Sequence, residues 1–137
     1  MLSALTFPNK FKNEPKDFIE IYNEENLSLK YMSKKNLVFV KGRSTRIDVS
    51  PAYYRLIRQM KIHFMNSDQL TCYFQYTVIN ASTTKLLFNF FRELEKLMKS
   101  GKKIVIHWVV KNNDDDLLYI GNEFKNFFNL DFQVNHM

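Results

Sequence analysis

Leu70-Thr71-Cys72-Tyr73-Phe74-Gln75-Tyr76-Thr77-Val78-Ile79, followed at once by Asn80-Ala81-Ser82-Thr83-Thr84-Lys85-Leu86-Leu87, is the stretch whose reading decides the fold. In its first half Leu70, Cys72, Phe74 and Tyr76 share one face of a strand, and Thr71, Tyr73, Gln75 and Thr77 share the other. The period then changes. Leu86, Leu87, Phe90, Phe91, Leu94, Leu97 and Met98 recur at helical spacing until Ser100-Gly101, where glycine supplies a left-handed stop. A polar corner with hydroxyl side chains therefore joins a strand to a helix. The first N–H groups of a helix have no intrahelical partner, and together with the helix dipole they favour a negative charge. Such a corner suits an anion, a phosphorylated hydroxyl, or a cap supplied by Asn80 or Ser82.

Upstream, Ser50 reads as a helix cap and Pro51 as a first-turn residue, with Tyr53, Tyr54, Ile57, Met60 and Phe64 on one helical face and Asn66-Ser67-Asp68 as the stop. Before it, Gly42 to Ser50 is polar and turn-like. Leu27, Leu29 and Tyr31 alternate with polar residues, as do Leu37, Phe39 and, past Val38, Val40, and Ser33-Lys34-Lys35-Asn36 between them signals a hairpin. Residues 1–25, with Pro8, Pro15 and many charges, read as an irregular arm, with one candidate short element near Phe18 to Tyr22. Residues 26–137 form a single domain.

Downstream, Ile104 to Val110 is a nearly continuous apolar run suited to a central strand. Asp114-Asp115-Asp116 makes an acidic first turn for a helix carrying Leu117, Ile120, Phe124, Phe127 and Phe128, and Phe132 to Val134 is a short last strand. The order β-β-α-β-α-β-α-β predicts an α/β fold: one mixed sheet of about five strands, with parallel strands joined by right-handed crossovers and helices mainly on one face.

Bulk properties narrow the function. The 137 residues suffice for one cored domain. Cys72 is the only cysteine, so no internal disulfide forms, which fits a reducing cytoplasm. No apolar run reaches the length of a membrane span. The net charge of +6 comes from lysines scattered among acidic residues, which reads as a solvated surface and not a nucleic-acid patch. The aromatics form core stripes, unlike an exposed stacking surface. There is no phosphate loop, no nucleophile elbow and no cysteine pair at metal spacing. His63, His107 and His136 are isolated, and Cys72 reads as core. The expectation is no catalytic residue, no metal site and no cofactor. Consecutive carboxylates at Asp114 to Asp116 point in different directions, and a cap accounts for them.

The residues of the corner, with Tyr76 before it, resemble the SiaC family of bacterial regulatory phosphoproteins. So do Glu93-Leu94-Glu95, Gly101, the Val105 to Val110 strand with Trp108, Asp114 to Asp116 and Gly121-Asn122-Glu123-Phe124. The likeness covers residues 70–134 closely. Upstream it rests on Gly42-Arg43-Ser44 and Tyr53-Tyr54, and the Pro-Glu that follows the family's glycine turn is replaced by Arg46-Ile47. The resemblance implies a STAS-like fold, similar to anti-sigma-factor antagonists. It also implies partner switching: a kinase phosphorylates a corner hydroxyl, a phosphatase removes the phosphate, and the unphosphorylated form binds a diguanylate cyclase, which places the family in cyclic di-GMP and biofilm signalling. The implied partner surface is Asn80, Ala81, Ser82, Thr83, Thr84 and Lys85. The family's acceptor threonine follows the asparagine, where this chain has Ala81. Ser82, in the register of STAS acceptors, and Thr83 are then the candidate acceptors. The alternative is an unswitchable structural or scaffolding paralogue that binds without being phosphorylated.

Overall fold

A computed structural model of the chain describes residues 19–24 and 26–137. The elements are β1 (Ile19–Glu24), β2 (Leu27–Met32), β3 (Leu37–Ser44), α1 (Ser50–Asn66), β4 (Gln69–Ile79), α2 (Ala81–Lys99), β5 (Lys103–Val110), α3 (Asp115–Phe127) and β6 (Asp131–His136). They form one six-stranded sheet in which spatial order follows chain order. β1, β2 and β3 pair antiparallel, while β3, β4, β5 and β6 pair parallel. Three successive parallel steps run in the same direction, and crossovers of one hand, right-handed by the general rule, bring the three described helices to one face. The mixed α/β sheet, with its helices on one side, is the architecture the patterning predicts.

One extra strand, β1, lies within the stretch read as an irregular arm. Its alternation is hidden because the register slips between Glu20 and Tyr22, so the apolar residues lose their period of two. The rest of that arm, residues 1–18 and 25, lies outside the described residues.

Other expectations shift locally. Gly42-Arg43-Ser44 belongs to β3, not to a turn. Val38 and Val40 face the core, whereas Leu37 and Phe39 lie half-buried on the opposite face. Ser50 is already helical (φ −55°, ψ −40°) and makes no capping bond, because a 3-10 turn, Ile47–Val49, runs straight into α1. On α1, Leu56 and His63 are buried with Tyr53, Met60 and Phe64, while Tyr54 points outward. On α3, Phe127 is exposed and Gly121 takes an inward position.

The core is continuous across the sheet. Leu29, Val40, Phe74, Trp108 and Val134 pair in one row from β2 to β6. The Phe74 ring meets Phe91 at 5.4 Å and Phe90 at 5.9 Å, edge to face, and so fastens α2 to the sheet centre. Trp108 Nε1 donates to the Leu117 carbonyl at 2.9 Å, and α3 passes over its indole at Gly121, where a Cβ would run into the ring. Cys72 is fully buried and burial pushes its thiol pKa up, as expected of a core cysteine. His63 is buried between α1 and the sheet. Its Nε2 lies 2.8 Å from the Gln69 carbonyl, which can only accept, so Nε2 donates there, and Nδ1 lies 2.6 Å from the Tyr31 hydroxyl. His107 lies on the other face, stacked on Tyr73 at 4.6 Å.

Candidate functional site: the β4–α2 corner

The corner sits at the carboxyl ends of the parallel strands β3 and β4, the end of an open α/β sheet where ligands and partners characteristically bind. Asn80 is the cap of α2. Extended backbone (φ −112°, ψ −178°) brings its Oδ1 to 3.0 Å from the Thr83 N–H, which it accepts. Its Nδ2 donates to the Thr45 carbonyl at 3.0 Å. Both ends of one amide are thus used, one to start the helix and one to tie that start to the chain leaving β3. Of the two capping candidates, Asn80 is the cap, which leaves the Ser82 hydroxyl uncommitted to that task.

The six residues then divide. Ala81, Ser82 and Lys85 are exposed, and Asn80 and Thr84 are half-buried. Thr84 also returns its hydroxyl to the Asn80 carbonyl at 3.1 Å. Thr83, named with Ser82 as a candidate acceptor and with the partner surface, is fully buried. As the third residue of the helix it turns inward, because the helical period carries residue 83 to the side that also holds Leu87 and Phe90.

Thr83 begins a buried chain of hydroxyls that sequence reading did not assemble. Its Oγ1 donates to the Ser44 carbonyl at 2.7 Å and lies 2.8 Å from Ser44 Oγ. Ser44 Oγ lies 2.8 Å from the Tyr53 hydroxyl, which lies 2.8 Å from the Tyr76 hydroxyl. The carbonyl fixes the direction. Thr83 spends its only proton there, so Ser44 donates to Thr83, Tyr53 to Ser44, and Tyr76 to Tyr53. Burial raises the Tyr53 phenol to about 12 and pushes Tyr76 well above its ordinary value. All four groups are neutral donors at physiological pH. Their chemistry is positional: they lock the end of β3, the face of α1, the end of β4 and the first turn of α2 into one unit. Tyr53 and Tyr76 were legible only as core-facing residues, and nothing local signals that their hydroxyls meet.

Electrostatically the corner is open to a negative charge. No acidic residue occupies the first turn of α2, and Lys85 is exposed within it. Arg46, at the start of the β3–α1 connection, holds Asp48 through a two-pronged contact at 2.7 and 2.8 Å, and that hydrogen bonding lowers the Asp48 pKa. The acidic loop behaves as a cap: Asp114 Oδ1 accepts from the Leu117 N–H at 3.1 Å, with Asp115 and Asp116 in the first turn of α3.

A family profile described as "SiaC family regulatory phosphoprotein" matches residues 23–137. Among solved structures, SiaC of Pseudomonas aeruginosa is similar in fold, with a TM-score of 0.77 at 13% identity over 88% of this chain and 98% of that one. A chain of the crystal structure of the diguanylate cyclase SiaD in complex with its activator SiaC, from the same organism, gives 0.77 at 12% identity over 85% and 96%. The apo-SiaC crystal structure of that organism gives 0.74 at 12% over 86% and 98%. No curated protein matches the chain. With the family profile spanning β2 to β6, the three helices between them and the Asn80 corner, the chain belongs to the SiaC family of regulatory phosphoproteins.

Proposed function

We propose that this protein is a non-enzymatic partner-switching regulator, that its partners meet it at the Asn80–Lys85 corner, and that Ser82 is its phosphoacceptor. The observation that carries the reading is the division of hydroxyls at the helix start: Ser82 is exposed and free of the cap, while Thr83 is fully buried and bonded to Ser44. A cytoplasmic kinase would transfer the γ-phosphoryl group of ATP to Ser82 Oγ, releasing ADP and the hydroxyl proton. A phosphatase would return the serine and inorganic phosphate. The added charge of about −1.5 to −2 sits where the α2 N-terminus tolerates it, so the fold persists while the partner surface changes. A diguanylate cyclase is the partner we favour for the unphosphorylated form, since the structurally similar SiaC is the activator of the cyclase SiaD.

A second reading has its own observation. Ala81 is exposed at the first helical position, where the family carries its acceptor threonine, and a methyl group takes no phosphate. On that reading the protein binds permanently and acts as a scaffold.

Intact mass after co-expression with the kinase encoded nearest to it, and without the phosphatase, separates the two. Ser82 as acceptor predicts a phosphate adduct on the wild type and none on Ser82→Ala. It also predicts that Ser82→Asp stays folded but loses the cyclase, while Ser82→Ala keeps it. An unlabelled wild type alongside labelled Ala81→Thr would establish the unswitchable reading.

A further inference from the structure

On the open side of the sheet, away from the helices, a hollow of about 620 Å³ lies at the carboxyl ends of β3 and β4. Its lining includes Asn23, Asn26, Ser28, Lys41, Arg43 and Thr77. The local backbone builds it. Gly42 has φ +115°, and a Cβ there would run into the Asn26 carbonyl, so the turn before β2 closes onto β3 only over glycine. Arg43 N–H donates to that same carbonyl at 2.9 Å. Opposite, the register slips as β3 passes from Gly42 to Arg43 and β4 from Tyr76 to Val78, a bulge that re-aims the end of the strand.

Among the described residues the charged groups that line the hollow are Lys41 and Arg43, while Glu24 lines an adjoining cavity with Arg43. Lys41 and Arg43 are both exposed, and among the described residues neither has a carboxylate within ion-pair distance. Ser28, paired with Lys41 across β2 and β3, holds a hydroxyl oxygen that is shut from solvent and has no hydrogen-bond partner. Lys41 and Arg43 thus present two exposed positive charges on the open face of the sheet, with no ion-pair partner among the described residues.

We propose that this hollow docks an acidic segment of a protein partner. Charge complementarity selects the occupant, and the open form of the hollow on a sheet surface suits side chains presented by another protein. Lys41 and Arg43, two residues apart on one strand, stand about 6–7 Å from each other, which matches carboxylates one helical turn apart on an acidic helix. The site is independent of Ser82 and is tested without reference to phosphorylation.

The test is amide chemical-shift mapping on the full chain with an acetylated hexaglutamate peptide as probe. Shifts should concentrate at Lys41, Gly42, Arg43 and Thr77. Lys41→Ala with Arg43→Ala should weaken binding at least tenfold with an unchanged circular dichroism spectrum, since both side chains are exposed. Lys99→Ala with Lys103→Ala, at the opposite end of the sheet, should change it less than twofold. Equal weakening by the two pairs, or shifts spread over all the lysines, would overturn the proposal. Pyrophosphate binding at the hollow more tightly than the peptide would overturn it in favour of a small phosphorylated ligand.

Discussion

Thr83 Oγ1 donates to the backbone carbonyl of Ser44 at 2.7 Å, so the first turn of α2 is fastened to the last residue of β3 by one buried side chain. The corner that carries the candidate acceptor is therefore held from beneath. Thr83→Val removes the hydroxyl at nearly constant shape; the Ser44 carbonyl loses that donor, and the Ser44 hydroxyl, still accepting from Tyr53, loses the acceptor for its own proton. The expected loss is about 1–3 kcal/mol in urea unfolding. Thr83→Ser, which keeps the donor, should recover most of it.

The same hydroxyl chain makes stability fall at alkaline pH. Tyr53 has a folded pKa of about 12 against an ordinary 10.0, so its neutral form is preferred in the fold. Its contribution is intact below pH 10 and is lost as pH rises from 10 to 12, because the unfolded chain releases the proton first. Each such tyrosine steepens the decline by about 1.4 kcal/mol per pH unit in that window. Tyr53→Phe should flatten the fall of the unfolding midpoint over this range and leave the slope due to Tyr76.

Gly121 is small because α3 lies against Trp108. Gly121→Ala should cost about 1–3 kcal/mol by forcing the indole or the helix to shift. Trp108 is the only tryptophan, so its fluorescence reports the displacement directly; an unchanged spectrum and midpoint would mean that the contact relaxes freely.

Leu94 is buried on the inward face of α2 at 1% exposure. Leu94→Ala should lower stability by about 2–5 kcal/mol through lost burial and the cavity left behind, measured by denaturant midpoint.

Much of this was legible locally. The alternation from Leu70 to Tyr76, the helical stripe from Leu87 to Leu94 and the stop at Gly101 each depend on a short-range period or backbone preference, and each appears where the pattern puts it. What failed locally had identifiable causes. The bulge in β1 erased its period, and the 3-10 turn before α1 took over the start that Ser50 signalled. Outward Tyr54 and Phe127 show that an aromatic residue at helical spacing does not by itself mean burial.

For the site, sequence by itself determined that a polar, hydroxyl-bearing corner opens α2, that Ala81 cannot accept a phosphate, and that the chain resembles the SiaC family. The resemblance favoured Ser82 through the STAS register, but the residues alone could not tell which hydroxyl reaches solvent. Ser82 and Thr83 are adjacent and chemically alike, and only tertiary structure turns one to solvent and the other into a chain with Ser44, Tyr53 and Tyr76. Capping depends on neighbours within one turn, so the sequence narrowed the cap of α2 to Asn80 or Ser82. Burial and long-range hydrogen bonds depend on which distant strand or helix arrives alongside, and here β3 and α1 brought the partners that separated the two residues.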